Sequence, residues 1–262
     1  FDQSGNMYSM SEDGGWINHC SGGLGCGYIF QLANVGGNWT YNVIYEFHDG
    51  NQGAHPYGRL AVDSAGNVYG TTAGLFGGDG NGNVFKLTPS SDGYWNQTVL
   101  YTFQGGSDGK YPEAGVIFDQ AGNLYGASAA GGQNDGGTIF ELTASNGWAF
   151  NLLYSLSGSM PYADGVLYSM IMDPAGNLYG TTFENGAYNL GNVFKLTRGS
   201  GGWTYTDLHD FTGGSDGAYP VGSLAIDSSG NLYGATEAGG NTSSNCFVSL
   251  NYQCGVIFEI TP

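Results

Sequence analysis

Apolar and polar residues along this chain alternate in short runs. Val84-Phe85-Lys86-Leu87-Thr88 is one such run, and Trp95-Asn96-Gln97-Thr98-Val99-Leu100-Tyr101-Thr102-Phe103 is another. Each is closed at both ends by Gly, Asn, Asp or Pro. Alternation with a period of two marks a strand with one buried face, and the closing residues supply the turns. No stretch sustains a 3.6-residue apolar period, so almost no helix is expected.

The runs recur in a fixed order. The string D-x-x-G-N-x-Y occurs at Asp2–Tyr8, Asp63–Tyr69, Asp119–Tyr125, Asp173–Tyr179 and Asp227–Tyr233, with steps of 61, 56, 54 and 54 residues. Each copy is followed by a V-F-K-L-T-like string, at 28–32, 84–88, 139–143, 193–197 and 257–261. Four copies of a W-x-x-x-V-L-Y-x-F-like string begin at Trp39, Trp95, Trp148 and Trp203. A further string, as in Tyr111–Asp119 and Tyr219–Asp227, leads into the next unit. One unit therefore holds four strands, lettered A (before the Asp), B (from the Tyr), C and D. Four antiparallel strands repeated radially make a β-propeller. The expected fold is all-β: one domain over 1–262, five blades, with units near 1–57, 58–113, 114–167, 168–221 and 222–262. The D-x-x-G-N turn has a mechanism. The Asp carboxylate accepts backbone N–H groups inside the A–B hairpin, and Gly and Asn tolerate positive φ.

Unit 1 keeps only the last two residues of strand A, and unit 5 stops after strand C. Three outcomes follow: a ring with two incomplete blades, a longer natural chain, or strands supplied by a neighbour. Unpaired edges are templates for association, so self-assembly through open terminal blades is one expectation.

The strings Gly176–Thr182 with Gly191–Thr197, and Gly66–Thr72 with Gly82–Thr88, resemble the Gloeo_Verruco (GloVer) tandem repeat of exported bacterial proteins. The resemblance covers nearly the whole chain. Unit 1 departs most, with Ser9-Met10 in place of Gly-Thr. The resemblance implies export and repetition, and it carries no catalytic residues with it.

Composition narrows the partners. Five Lys and Arg stand against 22 Asp and Glu, a formal net charge of −17. Nucleic acid is excluded as a partner, because binding it needs clustered cations. No apolar run is long enough to span a membrane. The acidity suits solubility in an extracellular medium, or cation binding; apart from Ca²⁺, no cofactor is expected. Cys20 with Cys26 and Cys246 with Cys254 lie in short Gly-rich loops without C-x-x-C spacing, so two local disulfides are expected, with cross-pairing as the alternative. Disulfides place the chain outside the cell or on its surface.

Candidate chemistry lies where one unit departs from the others. The B–C loop of unit 1 holds Glu12, Asp13, Trp16 and His19 beside Cys20. Trp16 has no counterpart in the other units, and a loop Trp on a rigid frame stacks on a pyranose face. After the T-T of strand B, Glu12, Glu184 and Glu237 fall in units 1, 4 and 5. Two carboxylates across a groove are what glycoside hydrolysis requires. Asp79, Asn81 and Asn83 resemble half a Ca²⁺ loop, but Ser90 stands where the EF-hand needs its Glu. The favoured reading is an exported propeller that binds a glycan or a surface protein without catalysis. Its rivals are a polysaccharide-active enzyme using Glu12, Glu184 or Glu237, and a structural subunit of an extracellular filament or surface layer.

Overall fold

The computed structural model describes residues 1–15, 20, 23–48, 53–74, 80–157, 170–240 and 254–261. It is a five-bladed β-propeller. Blade 1 holds β1 (Met7–Ser11), β2 (Tyr28–Val35) and β3 (Asn38–Glu46). Blade 2 holds β4 (Pro56–Val62), β5 (Val68–Thr72), β6 (Asn83–Pro89) and β7 (Trp95–Thr102). Blade 3 holds β8 (Val116–Phe118), β9 (Leu124–Ser128), β10 (Thr138–Thr143) and β11 (Ala149–Ser155). Blade 4 holds β12 (Ile171–Met172), β13 (Leu178–Thr182), β14 (Asn192–Gly199) and β15 (Gly202–Asp210). Blade 5 holds β16 (Ala218–Ile226), β17 (Leu232–Ala238) and β18 (Ile257–Ile260). Within each blade the strands pair antiparallel with their neighbours in sequence. The helix among the described residues is a single 3₁₀ turn, Ala144–Asn146.

The A strands face the axis. Val62, Phe118, Met172 and Ile226, each the residue before a repeat Asp, line one central cavity of about 460 Å³ together with Phe1. Phe1, the residue before Asp2, thus stands at the axial position of blade 1. The B strands β5, β9 and β13 are buried along their whole length. Their central Gly has a packing reason. Gly70 pairs with Phe85, Gly126 with Phe140 and Gly180 with Phe194, and a Cβ at any of the three would strike that ring. The Phe of strand C therefore lies across the backbone of strand B, and only Gly leaves room for it.

The A–B corner is built the same way five times. In blade 2, Asp63 Oδ1 accepts the N–H groups of Ala65 and Asn67, both at 2.9 Å. Its Oδ2 accepts the Asn67 side-chain amide at 2.7 Å and the Tyr69 hydroxyl at 3.0 Å. Asp2, Asp119, Asp173 and Asp227 repeat all four bonds. This corrects one expectation. The Gly takes positive φ, as at Gly66 (81°), but the Asn does not; it serves through its side-chain amide. Burial by itself would raise these carboxyls. The bonds from the Asn amide, the backbone and the Tyr hydroxyl outweigh it, and Asp2, Asp63 and Asp173 are held below the usual carboxylate range.

Candidate functional site

The corners and the B–C loops lie at opposite ends of each blade, because strand B runs from one to the other. At the loop end the blades differ. Each A strand of blades 2, 3 and 5 is entered through a residue before proline, and these residues are His55, Tyr111 and Tyr219, with φ of 57°, 60° and 57°. Left-handed backbone is unusual for bulky residues, and proline biases its predecessor toward extended backbone. The conformation is held by the neighbouring blade: the N–H of His55 donates to the Cys26 carbonyl, that of Tyr111 to Asn81, and that of Tyr219 to Leu190. Left-handed backbone kept at equivalent positions, by His in one blade and Tyr in two, is the kind of strain that gathers at functional surfaces.

The three surroundings differ as well. His55 is buried, with Nδ1 3.4 Å from Asp13 Oδ1. Burial and the Asp13 charge push the neighbouring Glu12 carboxyl up, against a smaller opposite effect of His55. Tyr111 carries Lys110 over its ring, and Lys110 Nζ pairs with Asp135 Oδ1 at 3.3 Å. Tyr219 stacks on Phe183 at 4.9 Å.

A second recess opens at this end between blades 3 and 4. It encloses about 270 Å³ and is lined by Tyr154, Ser157, Asn185, Asn192, Asp207 and Asp210, with Gly186 and Ala187. Tyr154 and Tyr205 stack at 4.4 Å and 11° to form one wall. The Asn192 side chain accepts from Thr182 Oγ1 at 2.6 Å, and donates to the Tyr205 hydroxyl at 2.8 Å and to Asp207. Burial raises the Tyr205 hydroxyl well above its ordinary range, so it stays protonated. Asp210 pairs across the sheet with Asn192, and its buried Oδ1 receives no hydrogen bond. A buried carboxylate oxygen without a donor is costly unless a ligand or solvent supplies one.

The candidates from sequence are distributed as follows. Glu12 and Asp13 sit beside His55. Trp16 and His19 lie outside the described residues, as does Asp79. Glu184 adjoins the blade 4 recess in sequence, next to Asn185. Glu237 lies exposed within β17 rather than in a loop, because Ala218 pairs with Ala238 and extends that strand. The charges acting on Glu12 are those of Asp13 and His55, and neither Glu184 nor Glu237 is among them. Asn81 gives its backbone carbonyl to Tyr111. The Asn83 amide is buried. It donates to Thr102 Oγ1 at 2.9 Å and to the Gly82 carbonyl at 3.0 Å, and accepts the Gly53 N–H at 3.1 Å. Among the described residues no three His, Cys, Asp or Glu side chains gather as a metal cluster. Cys20 is bonded to Cys26. Cys254 is disulfide-bonded too, and Cys246 lies outside the described residues. No helix among the described residues is long and apolar enough to cross a membrane.

Sequence reading missed His55, Asp207 and Asp210. A signal for Asp207 existed: it stands where the other three D strands carry Val43, Val99 and Leu152.

A family model, the Gloeobacter/Verrucomicrobia repeat, matches residues 1–169 and 77–262, which together span the chain. No curated protein matches. Among solved structures, a gluconolactonase from Xanthomonas campestris is similar at 14% identity and TM-score 0.52, covering 81% of this chain and 63% of its own. A protein of unknown function from Dyadobacter fermentans is similar at 12% identity and TM-score 0.51, covering 89% and 72%. Virginiamycin B lyase from Staphylococcus aureus is similar at 17% identity and TM-score 0.43, covering 70% and 49%, so this chain spans about half of that protein. At such identities the likeness concerns the fold alone.

Proposed function

The chain belongs to the Gloeobacter/Verrucomicrobia repeat family, and on that footing we propose that it is an exported propeller which binds a glycan, without chemistry, at the loop end of its blades. The observation that carries this reading is the recess between blades 3 and 4. It is lined by two carboxylates (Asp207, Asp210), the Asn185 side chain and an aromatic wall. Sugars present hydroxyl donors on one edge and C–H faces on another, and this pairing of carboxylate, amide and aromatic groups suits both. Tyr188, 59% exposed on the same B–C loop as Asn185, adds a further flat surface. The net charge of −17 favours neutral glycans over acidic ones. Export is supported by the Cys20–Cys26 disulfide.

The test is titration of the protein with a panel of neutral oligosaccharides, beside an Asp210→Ala variant. The reading expects saturable binding that the substitution weakens about tenfold or more. No binding across the panel, or equal binding by the variant, would contradict it.

A second reading, polysaccharide hydrolysis, draws on the Glu12 carboxyl, whose pKa is pushed up by burial and by the charge of Asp13, beside His55. A carboxyl whose pKa is raised by burial holds its proton to a higher pH, which suits a general acid. Release of reducing ends that Glu12→Gln abolishes would favour this reading over simple binding.

A further inference from the structure

We propose that the axial cavity is a binding site for a small organic monocarboxylate with an apolar body, and that Arg59 holds the carboxylate. The chain has five Lys and Arg against 22 Asp and Glu, so each cation stands out. The scaffold engages four of the five. Lys86 lies over Tyr69 (5.5 Å), Lys110 over Tyr111 (5.8 Å), Lys195 over Tyr179 (5.3 Å) and Arg198 over Trp203 (5.9 Å). Arg59 has neither a ring beneath it nor a carboxylate beside it among the described residues. It is exposed on β4 and lines the axial cavity. Every other residue lining that cavity is apolar.

The position departs from the repeat. Four residues before the repeat Asp, units 3, 4 and 5 carry Gly115, Ser169 and Ser223, and unit 2 alone carries Arg. The backbone around Arg59 is built for close approach. Gly58 and Gly115 take φ of 75° and 70°. A Cβ on Gly58 would strike the backbone of Glu113, Ala114 and Gly115, and one on Gly115 would strike that of Arg59. Arg59 and Gly115 form a parallel bridge. The A strands of blades 2 and 3 are thus clamped together at the residue that carries the guanidinium. Its backbone is fixed before a ligand arrives, which lowers the ordering cost of binding.

The walls specify the ligand. A guanidinium presents its N–H donors as a planar fork that matches both oxygens of one carboxylate. No second cation lines the cavity, so one negative charge is balanced, and the second charge of a phosphate monoester is not. The net charge of −17 opposes further negative charge as well. Beyond Arg59, Val62 of blade 2, Ile117 and Phe118 of blade 3, and Ile171 and Met172 of blade 4 line the space, each partly buried. They suit an aliphatic or aromatic body. All of them belong to internal blades, so the site does not rest on either end of the chain. The volume of about 460 Å³ lies within the range of small-molecule sites, about 300–1,000 Å³. The cavity shares no residue with the recess between blades 3 and 4, so this proposal and the glycan reading stand or fall apart.

The test uses the full chain and calorimetric titration with 2-naphthoate, 2-naphthamide and 2-naphthyl phosphate, which share one apolar body and differ in charge. Saturable binding of the carboxylate is expected, with the neutral amide and the phosphate both weaker. Arg59→Gln should weaken naphthoate about tenfold or more and leave naphthamide unchanged. Its thermal midpoint should match the parent's, because the side chain is exposed and unpaired. Lys86→Gln removes the same charge from over Tyr69 and should leave naphthoate binding unchanged. Absence of saturable naphthoate binding, equal binding by the Arg59→Gln chain, or an equal loss in Lys86→Gln overturns the proposal. So does naphthamide or naphthyl phosphate binding as tightly as naphthoate.

Discussion

The two ends of each blade are built on different terms. At the corner end, five aspartates make the same four bonds to a Gly-Asn-x-Tyr turn. At the loop end, equivalent positions hold His55, Tyr111 and Tyr219. Blade 4 alone puts Asp207 where its sisters carry Val or Leu. Repetition of a bond network marks what the fold needs five times over. Departure from the repeat marks what is needed once. The corner carboxylates are saturated by donors of their own turn, which leaves them nothing to offer a ligand, whereas Asp210 retains an oxygen without a donor.

The comparison can be broken most severely by Asp63→Ala. The substitution strands two backbone N–H groups, the Asn67 amide and the Tyr69 hydroxyl. A loss of about 3 kcal/mol is expected in urea unfolding. A change within about 0.5 kcal/mol would show that the corner is not structural.

Acid should act on the corners together. Asp2, Asp63 and Asp173 have folded-state pKa values below the usual 3.8. Their contribution is fully present above the unfolded value and is lost as pH falls through the folded values. Thermal midpoints should therefore drop below about pH 4, and by less in Asp63→Ala than in the parent protein.

The smallest effect is expected at Glu12, and it has the opposite sign. Its carboxyl is raised above 4.5 by burial and by Asp13. A raised carboxyl binds its proton more tightly in the folded state, so stability declines as pH rises through that interval. Glu12→Gln removes the penalty. It should stabilise slightly at pH 7, within about 0.5 kcal/mol, and have no effect near pH 4.

The blades were legible because period-two alternation and the fixed D-x-x-G-N-x-Y spacing report local structure directly. The Gly-Phe pairing, the Tyr hydroxyl returning to its Asp and the side-chain role of the Asn were not. Each depends on which atoms meet once the strands pair. The recess was hidden for the same reason. Asn185 comes from a B–C loop, Asn192 from β14, Asp210 from the end of β15 and Tyr154 from the blade before. Only packing across a blade boundary brings them together. Glu12, Glu184 and Glu237 share an offset from strand B, and that offset does not settle their surroundings: one lies beside a buried His, another is exposed on an extended strand.

The division between scaffold and site is tested most directly by measuring glycan affinity and thermal midpoint on the same two variants, Asp63→Ala and Asp210→Ala. The account predicts a double dissociation: the first lowers the midpoint and leaves affinity unchanged below it, and the second weakens affinity about tenfold or more with the midpoint preserved. Affinity and midpoint falling together in both variants, or glycan binding that survives Asp210→Ala intact, would contradict it.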